Sequence, residues 1–112
     1  MSQKDEGERD RFWVKIFRVD SEIVLAICDE DLLGKTLVDQ ERGIVFTVDP
    51  GFYRGELLEI EEIIPLLREA TVVNIIGNKI IEKLIEAKII DDDEENFIYI
   101  DGVRHIQIIT MK

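Results

Sequence analysis

Residues 23–28 read IVLAIC, an unbroken apolar run. A strand with one face in water alternates apolar and polar side chains, so a run that does not alternate predicts a strand covered on both faces and set centrally in a sheet. The preceding run, residues 12–18, does alternate: Phe12, Val14 and Ile16 fall on one side, Trp13, Lys15 and Phe17 on the other. With Val19, Asp20 and Ser21 between them, the two runs predict a β-hairpin.

Downstream, residues 29–35 read DEDLLGK, where Asp29 is suited to cap a short helical turn and Gly34 to end it in a left-handed conformation. Residues 36–40 and 44–48 predict a second hairpin across Glu41, Arg42 and Gly43, closed by a turn at Asp49, Pro50 and Gly51. An aromatic loop over residues 52–58 leads into residues 59–70, where Ile60, Ile63, Ile64 and Leu67 recur at helical spacing. Pro65 interrupts that stretch, so the helix is expected to start late or bend. Residues 71–76 keep some helical spacing, but their β-branched density and the Gly77-Asn78 break favour a strand, with Asn78 capping the next helix. That helix, residues 79–88, has an apolar stripe of Ile80, Ile81, Leu84 and Ile85. Asp101-Gly102 between alternating apolar runs predicts a terminal hairpin over residues 97–100 and 103–109.

This order of elements gives one α+β domain over residues 12–112: two layers, a mostly antiparallel sheet, two main helices and a C-terminal β-hairpin. Residues 1–11 read as a flexible polar lead, too polar for a signal peptide, and no run is long enough to span a membrane. A cytoplasmic protein is expected. The 112 residues suffice for a single core, and the lone cysteine, Cys28, excludes a disulfide scaffold. Nineteen isoleucines and 35% charged residues match the bias of thermophile proteins. With 14 basic against 25 acidic residues the net charge is −11, which opposes direct, non-specific nucleic-acid binding.

Few residues suggest chemistry. Cys28 precedes Asp29, Glu30 and Asp31, whose charges oppose a thiolate, so a buried structural cysteine is the simpler reading. The acidic cluster matches no metal-site spacing, and neither metal nor cofactor is expected. In a two-residue terminal turn, Ile98 faces His105, and Tyr99 faces Arg104 as a cation-π pair. His105, the one histidine, reads as a rim residue or a site residue. Phe52 and Tyr53 are adjacent and cannot both face the core from an extended strand. With Arg54 beside them, they form a candidate recognition loop, or else they plug the core rim.

Four segments in order, CDEDLLGK at 28–35, FYRGE at 52–56, ATVVNIIG at 70–77 and IDGVRHIQ at 100–107, resemble a small archaeal family designated domain of unknown function 424. Pro65 departs from that family, which has an ordinary helix former there. The resemblance implies an archaeal cytoplasmic protein without an established activity and a link to translation. It also places Cys28, Asp29, Gly34, Lys35, Gly55, Asn74, Gly77, Gly102 and His105 at motif positions. Gly34, Gly77 and Gly102 answer to backbone needs, which leaves Lys35, Asn74 and His105 as the better site candidates.

The leading expectation is a non-enzymatic binding module for a protein or ribonucleoprotein partner with a basic surface. The acidic charge would steer it, and Lys35, Phe52, Tyr53, Arg54, Asn74, Arg104 and His105 are the candidate contacts. The second is a small enzyme whose pocket gathers Cys28, Asp29, Asn74 and His105, with Cys28, Asp29 and His105 as catalytic candidates. The third is a self-associating homo-oligomer completed by another copy's isoleucine-rich sheet.

Overall fold

The computed structural model describes residues 9–110. Strand β1 (Phe12–Val19) turns back into β2 (Glu22–Asp29) as the alternation and the apolar run predict. A 3-10 turn, Glu30–Leu32, leads to β3 (Thr36–Asp39) and β4 (Ile44–Thr47). Helix α1 (Pro50–Tyr53), strand β5 (Glu56–Leu58), helix α2 (Ile60–Glu69), strand β6 (Val72–Ile76) and helix α3 (Asn78–Glu86) follow. A second 3-10 turn, Glu94–Asn96, precedes the terminal hairpin β7 (Ile98–Ile100) and β8 (Val103–Ile109).

The main sheet has the order β5-β1-β2-β6-β8-β7. Its pairings are antiparallel except at the centre, where β2 runs parallel to β6. The domain is thus α+β with a mostly antiparallel sheet and a C-terminal hairpin, as expected. Residues 72–76 are strand, resolving the local ambiguity in favour of β-branched density. The expectation of a flexible lead over residues 1–11 lies outside the described residues for positions 1–8. Arg9 is described and pairs with Glu59 at 3.1 Å and Glu61 at 3.2 Å.

Helices α2 and α3 cover one face of the sheet, where Leu25, Ile27, Val73 and Ile75 meet Ile63, Ile80, Ile81 and Leu84. Each of these fully buried aliphatic side chains contributes roughly 1.5–3 kcal/mol relative to exposure. Part of the opposite face is covered by the β3–β4 hairpin and α1, which bury Ala26, Cys28, Ile76 and Ile100 under Leu37, Val48 and Tyr53. The unalternated run in β2 therefore has its two covers. The second cover is a separate two-stranded sheet, adding a partial third layer to the helix-on-sheet arrangement.

Three local expectations are corrected. Of the two outcomes expected of Pro65, the late start is excluded: helix α2 starts at Ile60, with the Glu59 N–H donating to Glu62 Oε1 at 3.0 Å. Pro65 and Glu61, whose carbonyl loses its helical partner, both lie on the exposed side, where water can serve the carbonyl. The turn at Asp49 is the start of α1, since Asp49 accepts the Gly51 N–H at 2.9 Å and Phe52 to Leu58 is helix end and strand rather than loop. Gly77, not Asn78, is the N-cap of α3.

Candidate binding face of the sheet

The buried carboxylate of Asp29 shows how the junction of β2, β6 and α3 is built. Its register partner is Phe12, so it points into the helix layer, where Oδ2 accepts the Lys79 N–H at 3.0 Å and Oδ1 the Ile80 N–H at 2.8 Å. Asp29 therefore caps α3 across the fold; its side chain makes no capping bond to the adjacent 3-10 turn. Burial raises its pKa, while the two N–H donors oppose that rise. The positive end of α3 is thus already occupied by a carboxylate of the chain itself, which excludes an anionic ligand there. Asp29 is a structural cap of α3.

Asn78, freed from capping, organises the terminal hairpin. Its Oδ1 accepts from Arg104 N and Arg104 Nε, both at 3.0 Å, and its Nδ2 donates to Gly102 O at 3.0 Å. Arg104 also pairs with Glu82 at 2.9 Å. Tyr99 and Arg104 are register partners as expected, but the guanidinium lies over Phe97, 5.6 Å from the ring centroid. The expected Tyr99 contact gives way to the stronger hydrogen bonds from Asn78 and Glu82, which draw the group toward α3. Arg104 thereby holds α3 to β8.

The enzyme constellation does not assemble. Cys28 is fully buried, and burial, reinforced by Asp29 and Asp31, pushes its thiol up to about 12. Cys28, Ile76 and His105 share one row across β2, β6 and β8, which puts Cys28 and His105 two strand spacings apart, roughly 10 Å. Asp29 points to the other face. Native protein at neutral pH is therefore expected to resist iodoacetamide and to be alkylated fully only in denaturant. Prompt labelling of the folded protein, read by mass spectrometry, would contradict this burial. Among the described residues no group of three or more His, Cys, Asp or Glu side chains is placed to hold a metal ion.

Tyr53 is likewise core, 3% exposed, and burial with the nearby Cys28 raises its hydroxyl to about 12. It is removed as a surface anchor because α1 turns it under the hairpin layer. Phe52 is half-buried and bridges to the sheet, stacked on Phe17 at 5.3 Å and edge-on to Tyr53 at 4.9 Å. Arg54 is exposed, 6.0 Å from the Trp13 ring centroid. Lys35 is exposed at the entry to β3, apart from the sheet.

Asn74 and His105 do come together. The register Asn74↔Gln107 and Ile76↔His105 places Asn74, His105 and Gln107 on the face opposite the helices, just beyond the edge of the hairpin layer. The next row is Phe17, Val24, Val72 and Ile109. His105 is half-buried with Phe46 beside it at 5.9 Å, and burial lowers its pKa, favouring neutral imidazole. None of the three polar side chains hydrogen-bonds to any described residue, so each is available to a ligand. Among the described strand residues of this face, the single carboxylate is Glu22 at its far end, in a chain that carries 25 acids. Lys15 shares the row of Asn74 and Gln107, with its Nζ donating to Gly51 O at 2.9 Å, and carboxylate depletion around apolar and amide side chains is the composition of an interface centre. Gln107, Val24, Val72 and Ile109 were not legible as site residues, because only strand order sets them beside Asn74.

No helix among the described residues is long and apolar enough to cross a membrane. A search of curated protein sequences gives no match. Among solved structures the chain is similar to an uncharacterized conserved protein from Methanopyrus kandleri, known from its crystal structure. The two share 25% identity and a TM-score of 0.73, over 91% of this chain and 95% of that one. The family model described as "Protein of unknown function (DUF424)" matches residues 17–111. That match takes in the β3–β4 and β7–β8 hairpins and the parallel β2–β6 joint, and the chain belongs to the DUF424 family.

Proposed function

We propose that the protein is a non-enzymatic binding module that receives a basic protein or ribonucleoprotein partner on the open half of its sheet. The observation that carries this is the contrast between a face almost free of carboxylates and a chain of net charge −11. Surrounding acid steers a positive partner, and the apolar and amide surface then supplies short-range contact. Basic surfaces belong above all to proteins that handle nucleic acid, so components of the translation apparatus in the cytoplasm fit this partner class. Burial of Cys28 and its separation from His105 favour binding over catalysis.

The test is affinity purification of the tagged protein from its own organism, with protein and RNA both analysed. The comparison is the variant carrying Asn74→Asp and Ile98→Asp, both on the open face and neither fully buried. Wild type is expected to retain a basic partner that the variant loses by about tenfold, a difference of roughly 1.4 kcal/mol. Retention should also fall with added salt. Equal retention by the two proteins would refute the assignment of this face.

A further inference from the structure

The two outermost strands of the main sheet are three residues each, and the strands they border are longer. On the β8 side, β7 ends at the pair Ile98↔His105, and among the described residues no strand lies beyond residues 107–109. Gly77 N donates to Arg104 O, and Thr110 N donates to Thr71 O, so the even-numbered residues of β8 direct their backbone groups toward β6. By the alternation of an antiparallel ladder, the N–H and C=O of Gln107 and Ile109 point outward. Residues 106–109 read IQII and carry none of the lysines, prolines or bulges that usually blunt an edge. Ile98 and Ile109, 51% and 66% exposed, flank the edge on the open face.

The acidic run at residues 91–95 stands beside this opening. It feeds through the Glu94–Asn96 turn directly into β7, whose first residue sits opposite His105, where the free edge begins. Its five carboxylates are exposed, and none joins an ion pair among the described residues.

We infer that the free edge of β8 takes an extended, lysine- or arginine-bearing segment of a partner protein as a seventh strand. Backbone bonds form to Gln107 and Ile109, apolar side chains of the segment lie against Ile98 and Ile109, and its cations face residues 91–95. Strand addition of this kind draws affinity from the backbone and selectivity from alternate side chains. A second copy of this chain is the poorer occupant, because it brings a further charge of −11 to an acidic edge. The inference deepens the proposed function and rests on it.

The probe is a synthetic peptide of alternating lysine and valine, with a glutamate-valine peptide as control, titrated into the full chain and followed by amide hydrogen exchange. The basic peptide is expected to slow exchange at Gln107 and Ile109 by about tenfold or more, with affinity falling as salt rises. Gln107→Pro should abolish this protection, since an outward N–H can be lost without breaking the β6 ladder. A variant with Asp91→Asn, Asp92→Asn, Glu94→Gln and Glu95→Gln, which keeps the fold's contacts whether or not the proline is tolerated, should bind about tenfold more weakly.

Absence of protection at β8, protection confined to the outer edge of β1, equal response to the acidic peptide, or a dimer strengthened by salt would each overturn strand addition. If Asn74→Asp with Ile98→Asp still lost the natural partner in that case, the binding face would stand and the edge alone would fall.

Discussion

Gly77→Ala is expected to destabilise the domain by about 4 kcal/mol, the sum of backbone strain and a displaced buried cap, each of order 1–3 kcal/mol. Gly77 has φ 136 and ψ 137, a region essentially closed to residues with a side chain. A Cβ placed there would run into Cγ of Asp29 and sit 2.6 Å from both its carboxylate oxygens. Asp29 cannot yield without releasing the N–H groups of Lys79 and Ile80. Urea denaturation of Gly77→Ala, Asp29→Ser and the double variant checks this. The double variant should cost less than the sum of the singles by about 1–2 kcal/mol, because the clash is with the side chain that Asp29→Ser removes. Strict additivity would mean that backbone strain alone carries the effect.

The second large effect is alkaline. A thiol and a phenol ionise by losing a proton, and both groups are held neutral by burial: Cys28 at about 12 against 9.0, Tyr53 at about 12 against 10.0. The unfolded chain therefore releases these protons first. The stability they contribute is complete below 9.0 and is lost as pH rises toward 12, at up to about 1.4 kcal/mol per pH unit for each group. Denaturation at a series of pH values should show a steepening fall above 9.0. Cys28→Val should remove the first part of the fall and Tyr53→Phe the later part. An alkaline decline unchanged by both substitutions would place its origin elsewhere.

The elements were legible wherever one local signal dominated. Asp101-Gly102 marked its hairpin, alternation marked β1, and the unbroken apolar run in β2 demanded cover on both faces. What the sequence hid is tertiary. Asp29 resembles a local cap because it precedes a short turn, yet its partners are Lys79 and Ile80 of α3, brought close only by the β2–β6 pairing. Asn78 resembles a cap, yet Arg104 claims it. The candidate site divided in the same way. Asn74 and His105 could be singled out individually, but Gln107, Val24 and Val72 join them only through the order of strands. Tyr53 misled because adjacent aromatics in an extended segment must split between two faces, whereas a single helical turn can bury one and wedge the other against Phe17.

The central parallel joint also governs how the chain reaches this structure. Hairpins β1–β2 and β7–β8 close over two-residue turns and can form early and independently. Strands β2 and β6 are separated by the whole of β3, β4, α1, β5 and α2, so their pairing is the costly loop closure of the fold. The Asp29 cap on α3 forms only when that closure is complete. Because this non-local closure must be made, folding is expected to be slower than the short local hairpins alone would dictate.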